Sequence, residues 1–117
     1  MPRPQIKPEI GSLAVQKALL GESDQLGTAV RYSLQLLEAK SQGKSVEVRV
    51  PPFAAIQCIA GPIHRRGTPA NVVECPPQLW LELCSGRLSW SEALASGKLL
   101  ASGNRAAEIA DLLPLFN

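Results

Sequence analysis

The chain has 117 residues, of which 45% are hydrophobic and 19% charged, a composition typical of one folded domain and not of a disordered segment. Its net charge of +2 is too small to indicate binding through a long-range field, so no nucleic-acid partner is expected. No apolar run approaches the roughly 20 residues of a transmembrane segment. Three cysteines, an odd number, and the lack of an apolar secretory segment lead us to expect a cytoplasmic protein.

The amino-terminal residues predict a tail followed by a short helix. Residues 1–11 contain three prolines and end at Gly11, which favours an extended tail or a strap. We therefore expect a single domain from residue 12 to residue 117. Residues 12–20 (SLAVQKALL) predict a short helix that ends at Gly21.

A longer helix is predicted from residue 24 to about residue 41. Its apolar residues recur at spacings of four, four and three, which places them on one helical face. These residues are Leu26, Val30, Leu34 and Leu37.

Three strands are predicted next. VEVRV at 46–50 alternates apolar and charged residues, which is the period of a strand with one buried face. Two prolines separate it from a second predicted strand at 53–59, because proline cannot donate a ladder hydrogen bond. Residues 70–75 predict a third strand. The segment at 61–69, with two glycines and two prolines, predicts a loop that could hide a further strand.

Glycines and caps divide the carboxy-terminal part into short elements. Residues 76–84 predict a helix with proline in its first turn, and SWSE at 89–92 fits a capping box at the start of the next helix. Gly97 is expected to end that helix in a left-handed conformation. KLLAS at 98–102 then predicts a fourth strand.

Asn104 is predicted to cap a last helix, whose apolar face would be formed by Ala106, Ile109, Ala110 and Leu113 before Pro114 ends it. Taken together, these elements predict an α+β fold, in which helices cover one face of a small mixed or antiparallel sheet of four to five strands.

The carboxy-terminal elements resemble the second half of the sterol carrier protein domain, the fold of the small nonspecific lipid-transfer proteins. The resemblance lies in the helix at 80–83, Gly86, the short helix at 92–95, GKLLASGN at 97–104 and AAEIADLLPLF at 106–116. Upstream, the segment from VEVRV to VVE is similar to the small stand-alone sterol carrier proteins of actinobacteria.

The resemblance implies a five-stranded sheet and an apolar tunnel for acyl chains or other hydrophobic molecules. The side chains expected to line the tunnel are Trp80, Leu83, Leu94, Leu99, Ala101, Ile109, Leu113 and Phe116. Two departures from the family pattern stand out. The chain between the first and third strands is short, and Leu100 occupies a usually polar position. The same apolar residues could equally form a closed core, which is the default in proteins.

A basic cluster lies in the predicted loop, where His64, Arg65 and Arg66 follow one another. Arginine side chains can hold a phosphate or carboxylate through paired hydrogen bonds, so the cluster could bind the head group of an amphipathic ligand. The alternative is a solvated loop without a specific partner.

Neither a metal site nor a catalytic group is predicted. Cys58, His64, Cys75 and Cys84 lack the C-x-x-C spacing of zinc sites, and so no metal or other cofactor is expected. The single histidine has no nucleophile placed beside it in sequence. Cys58 and Cys84, with apolar neighbours, are predicted to be buried thiols.

These observations predict a non-catalytic module that binds a small hydrophobic or amphipathic ligand. The alternative is an accessory protein-interaction or homodimerisation domain with a closed core. In that case Leu100 and Phe116 would form an exposed contact patch.

Overall fold

A computed structural model describes residues 4–62 and 71–116 of the chain. Within them the predicted α+β class is confirmed. The α-helices are α1 (Pro8–Leu19), α2 (Leu26–Lys40), α3 (Pro77–Cys84) and α4 (Trp90–Ala95), and two 3-10 helices span Ser23–Gln25 and Ala106–Leu112. The strands are β1 (Val46–Val50), β2 (Ala54–Cys58), β3 (Val72–Glu74) and β4 (Leu100–Ser102).

The four strands form one mixed sheet in the order β2-β1-β3-β4. β1 pairs antiparallel with β2 and parallel with β3, while β3 and β4 are antiparallel. The loop predicted at 61–69, with its hidden strand, lies largely outside the described residues, which leave out 63–70.

The two faces of the sheet differ as the alternation in β1 predicts. Val46, Val48 and Val50 are fully buried and join the core cluster that the helices complete. Glu47 and Arg49 lie on the opposite face, where the guanidinium of Arg49 donates to the carboxylate of Glu47 at 2.7 Å. The helices therefore cover one face of the sheet and leave the other largely polar.

Helix α1 begins earlier than predicted and continues through a glycine. It starts at Pro8, because proline suits the first helical turn, whereas the predicted start was residue 12. Gly11 lies inside the helix and is buried against the ring of Tyr32 on α2. A Cβ atom at residue 11 would overlap that ring. The glycine thus serves close helix packing, and the division into a tail (1–11) and a domain (12–117) stays a prediction.

The last helix is a 3-10 helix, so the predicted α-helix with an Asn104 cap is wrong. Arg105 occupies the cap position and no side chain caps the helix there. Instead, the main-chain N–H of Arg105 donates to the side-chain oxygen of Asn71 at 2.9 Å. Ala106, Ile109 and Leu112 recur every three residues, which matches the 3-10 period and aligns them on one side.

The predicted capping box at the start of α4 is confirmed. The Glu92 N–H donates to the Ser89 hydroxyl at 3.1 Å, and the Ser89 N–H donates to the Glu92 carboxylate at 3.0 Å. These hydrogen bonds lower the pKa of Glu92, so the box is intact above its ordinary pKa of 4.5 and is lost as the pH falls below the lowered value. Gly97 follows the helix with a φ of 77°, as expected.

Substituting Gly11 by alanine tests the close approach of α1 and α2. We expect Gly11→Ala to lower the free energy of unfolding by about 1 to 2 kcal/mol, because the clash with Tyr32 exceeds the gain in helix propensity of about 1 kcal/mol. Urea denaturation measures the change. The control is Ser12→Ala on the exposed side of the same helix, which should change stability by less than about 0.5 kcal/mol. A stabilised Gly11→Ala variant would contradict the packing.

Candidate functional site

A hydrogen-bonded group of side chains at the centre of the core joins α2 to α3. The indole N–H of Trp80 donates to the hydroxyl of Ser33 at 2.8 Å, and that hydroxyl donates to the carbonyl of Val30 at 2.7 Å. Trp80 and Ser33 are both fully buried. A buried indole needs such a partner, because an unsatisfied N–H costs about 1 to 3 kcal/mol.

The structure does not bring the eight predicted tunnel residues together. Trp80, Leu83, Leu99 and Ile109 are buried within the packed core, and Leu113 and Phe116 are half-buried at its edge. Leu94 is 44% exposed, and Ala101 is also exposed. Ala101 shares the covered face of the sheet with Val73, its partner in register, but its side chain is exposed in the part of the chain that the structure describes. Their contact with a ligand stays a prediction.

A groove lies at the surface, beside α1. It has a volume of about 720 Å³ and lies between α1, the end of α3 and the carboxy-terminal tail. We call it the α1 groove, and its lining residues are Ser12, Val15, Gln16, Leu19, Leu20, Ser85, Arg87 and Phe116.

One wall of the α1 groove is apolar and its rim is charged. Val15, Leu19, Leu20 and Phe116 supply the apolar surface. Leu20 is 79% exposed, an unusual degree for a leucine beside an apolar groove. Arg87 is also exposed and belongs to the lining. The groove thus combines a hydrophobic wall with a cation.

The carboxy-terminal tail, residues 114–116, is held by main-chain hydrogen bonds and by packing against the core. The N–H groups of Leu115 and Phe116 both donate to the carbonyl of Cys84, at 2.8 and 3.0 Å. The ring of Phe116 stacks on Tyr32 with 6.2 Å between the ring centres. These contacts set the position of one wall of the α1 groove.

A smaller cavity lies on the other side of the tail. It has a volume of about 230 Å³ and is lined by Leu83, Leu113 and Pro114 together with residues 86, 88–90 and 110. Two of the predicted tunnel residues, Leu83 and Leu113, therefore line the same cavity. Phe116, a third predicted tunnel residue, lines the α1 groove.

Sequence reasoning missed most of the α1 groove. Leu19 and Leu20 are adjacent, and the side chains of adjacent helical residues point in different directions around the helix axis. The sequence therefore indicated that one of these leucines lies away from the buried face. Arg87 gave no such sign, because a single arginine after a glycine is common on surfaces. The predicted head-group residues His64, Arg65 and Arg66 lie outside the described residues.

The three cysteines are free and buried, which confirms the prediction for Cys58 and Cys84. Burial raises the pKa of Cys58 to about 11 and that of Cys75 to about 12. Burial also raises the pKa of Cys84, and a hydrogen bond with Ser33 offsets part of this effect. The thiols are therefore protonated at neutral pH, whereas nucleophilic chemistry requires the deprotonated thiolate.

Two further searches cover residues 4–62 and 71–116. Within these ranges no group of three or more histidine, cysteine or acidic side chains could hold a metal ion. In the same part of the chain, no helix has both the length and the apolar character needed to span a membrane.

The fold and the groove define a small α+β domain with an apolar surface site beside a cation. A family model described as bacterial SCP ortholog, where SCP denotes sterol carrier protein, matches residues 22–115. The chain therefore belongs to this family, and the resemblance found in its sequence is confirmed. The narrower actinobacterial branch stays a prediction. No curated protein matches the chain.

The buried thiols give a direct test of the packed core. At about pH 8 we expect the native protein to react with Ellman's reagent far more slowly than the urea-unfolded chain, because protonated buried thiols are poor nucleophiles. A Leu100→Cys variant, with a thiol at an exposed position, provides the matched control and should react at one site at once. Rapid reaction of the unsubstituted native protein would contradict the burial of its cysteines.

Proposed function

We propose that the protein binds a small amphipathic molecule in the α1 groove, with the apolar part against Leu19, Leu20 and Phe116. The observation that carries this proposal is an apolar groove of about 720 Å³ with a guanidinium in its lining. Sites for small molecules usually measure roughly 300 to 1,000 Å³. Membership of the bacterial SCP ortholog family supports a carrier role of this kind.

The two parts of the groove would act differently on such a ligand. Each methylene that leaves water contributes about 0.8 kcal/mol, so a chain of several methylenes supplies most of the affinity. Arg87 would orient a carboxylate or phosphate through paired hydrogen bonds. Because Arg87 is exposed, its ion pair would add little to the affinity and would mainly select for an anionic head group.

The carboxy-terminal tail would serve as a movable wall. Its two main-chain hydrogen bonds end on one carbonyl, that of Cys84, while Phe116 stacks on Tyr32 and packs at the edge of the core. Displacement of the tail would open the α1 groove toward the cavity beside Leu113 and Pro114. A longer ligand could then reach the predicted tunnel residues Leu83 and Leu113.

We propose binding without catalysis, in the cytoplasm. The described cysteines are buried thiols with raised pKa values. Two carboxylates have structural partners, since Glu92 closes the capping box and Glu108 accepts from Arg105 at 2.8 Å. Three unpaired cysteines are also typical of a reducing compartment.

The second candidate function is homodimerisation or another protein contact. The observation that favours it is Leu100, which is 59% exposed on β4 at the edge of the sheet. An edge strand with an exposed apolar side chain can pair with a second chain. Phe116, the other residue of the predicted contact patch, is half-buried on Tyr32 and is less accessible for this purpose.

Two matched leucine substitutions separate these functions. We expect Leu20→Ser to weaken the binding of decanoate about three- to tenfold, because it removes apolar surface from the α1 groove. Leu100→Ser, an equal change at another exposed site, should leave decanoate binding unchanged. Isothermal titration calorimetry measures both. Equal effects of the two substitutions on decanoate binding would contradict the location of the site. If native mass spectrometry shows a dimer, and Leu100→Ser dissociates it, the second function is favoured.

The head group is tested by pairing decanoate with 1-decanol. Arg87→Gln should weaken decanoate binding about two- to fivefold and leave 1-decanol binding unchanged, since only the carboxylate pairs with the guanidinium. If Arg65→Ser combined with Arg66→Ser has this effect and Arg87→Gln does not, the head group lies at the loop predicted from the sequence and the assignment to Arg87 is wrong.

A further inference from the structure

Helix α1 carries an exposed apolar surface of its own. Among the described residues, five large apolar side chains are exposed, and three of them, Ile10 (55%), Leu13 (50%) and Leu20, lie on α1 or at its end. The α1 groove accounts for Leu20, but Ile10 and Leu13 are not part of its lining. We call the surface that they form the α1 outer face, and it consists of Glu9, Ile10, Leu13, Lys17 and Leu20.

The α1 outer face lies on the side of the helix away from the core. The buried side of α1 is formed by Gly11, Ala14, Val15 and Ala18. Successive residues of an α-helix are turned by about 100° around its axis, so Glu9, Leu13 and Leu20 point within about 40° of one another and roughly opposite to the buried side. The chain therefore buries one side of α1 and leaves a second apolar side exposed.

Two opposite charges are placed symmetrically about Leu13. Glu9 precedes it and Lys17 follows it, each by four residues, so the charges lie about one helical turn on either side. Eight residues span about 12 Å of helix, whereas charges on one helix pair when they are three or four residues apart. Within the described part of the chain, neither side chain has an ionic partner. Their positions in the first and last turns suit the helix dipole, but the dipole does not require equal distances from an exposed leucine.

We propose that the α1 outer face binds the same face of a second copy of the chain, with the two α1 helices antiparallel about a two-fold axis at Leu13. In a two-fold contact of this kind, residues at equal distances on either side of the axis lie opposite each other. Glu9 of each copy then faces Lys17 of the partner subunit, and Leu13 packs against Leu13 of the partner subunit between these pairs. Packed helix axes lie about 8 to 10 Å apart, which brings the paired charges within reach of each other.

The charges favour a second copy over a lipid surface. A bilayer would also bury Leu13 and Leu20, but it would leave Glu9 on the contacting face, where a carboxylate opposes contact with apolar lipid. Helices that lie on membranes are commonly rich in lysine and arginine, whereas residues 7–22 contain two lysines and two glutamates. A second copy pairs each glutamate of the face with a lysine. The contact does not depend on a ligand in the α1 groove and is distinct from the contact considered at Leu100.

Sedimentation velocity of the full chain tests the contact. We expect a reversible dimer with a dissociation constant of about 100 μM, because one pair of short helices buries less area than a standard interface. Leu13→Ser removes apolar surface from both copies and should weaken the dimer about tenfold or more. The matched control is Leu100→Ser, an equal change at an exposed leucine of the sheet, which should leave the dimer unchanged. A dimer that Leu100→Ser dissociates and Leu13→Ser does not would place the contact at β4 and overturn the proposal.

Charge reversal tests the pairing itself. Glu9→Lys and Lys17→Glu each place like charges opposite each other, so each should weaken the dimer about threefold or more. The combination of both restores two opposite pairs and should return the dissociation constant to within about twofold of its original value. An effect of the helix dipole alone would make the combined variant the weakest of the three, so recovery of the dimer separates the two roles.

Three results would overturn the proposal. The first is a chain that stays monomeric at concentrations up to about 1 mM. The second is a dimer that the single charge reversals weaken and the combined variant does not recover. The third is a monomeric chain that binds phosphatidylglycerol vesicles and loses this binding in Leu13→Ser, because the α1 outer face would then contact lipid.

Discussion

The hydrogen bond from the Trp80 indole to the Ser33 hydroxyl joins α3 to α2 inside the core, and the end of α3 forms part of the α1 groove. Both residues are fully buried, so neither can exchange its partner for water. Once α3 is fixed, so is the Cys84 carbonyl at its end, which accepts from the N–H groups of Leu115 and Phe116. The position of the tail, and with it one wall of the groove, therefore depends on the packing of α3, to which this polar contact contributes.

The candidate site lies at the surface, beside a packed core. Trp80 and Ile109, two of the residues expected to line the tunnel, are fully buried in the packed core, where an unfilled void would cost roughly 24 cal/mol per cubic ångström. Space for a ligand is present where α1 meets the tail, and there an apolar wall lies beside the cation of Arg87.

The sequence predicted those features that depend on local spacing. The alternation in β1, the capping box and the glycine after α4 were all confirmed, because each is determined within a few residues. Features that depend on a distant partner were not predictable. Gly11 was interpreted as the end of a tail because its neighbour in space, Tyr32, is far away in sequence. The 3-10 period of residues 106–112 is also ambiguous in sequence, since positions three apart align in an α-helix too. Arg87 joins a groove whose other walls come from α1 and the tail.

The central claim is that a ligand occupies the α1 groove and leaves the core closed. Isotope-filtered nuclear Overhauser spectroscopy of the complex with decanoate measures which methyl groups touch the ligand. The account predicts contacts from the ligand methylenes to Val15, Leu19 and Leu20, which line the groove. Contacts to Leu81 and Ile109, which are fully buried, would contradict it, because the ligand would then have entered a core that opens to admit it.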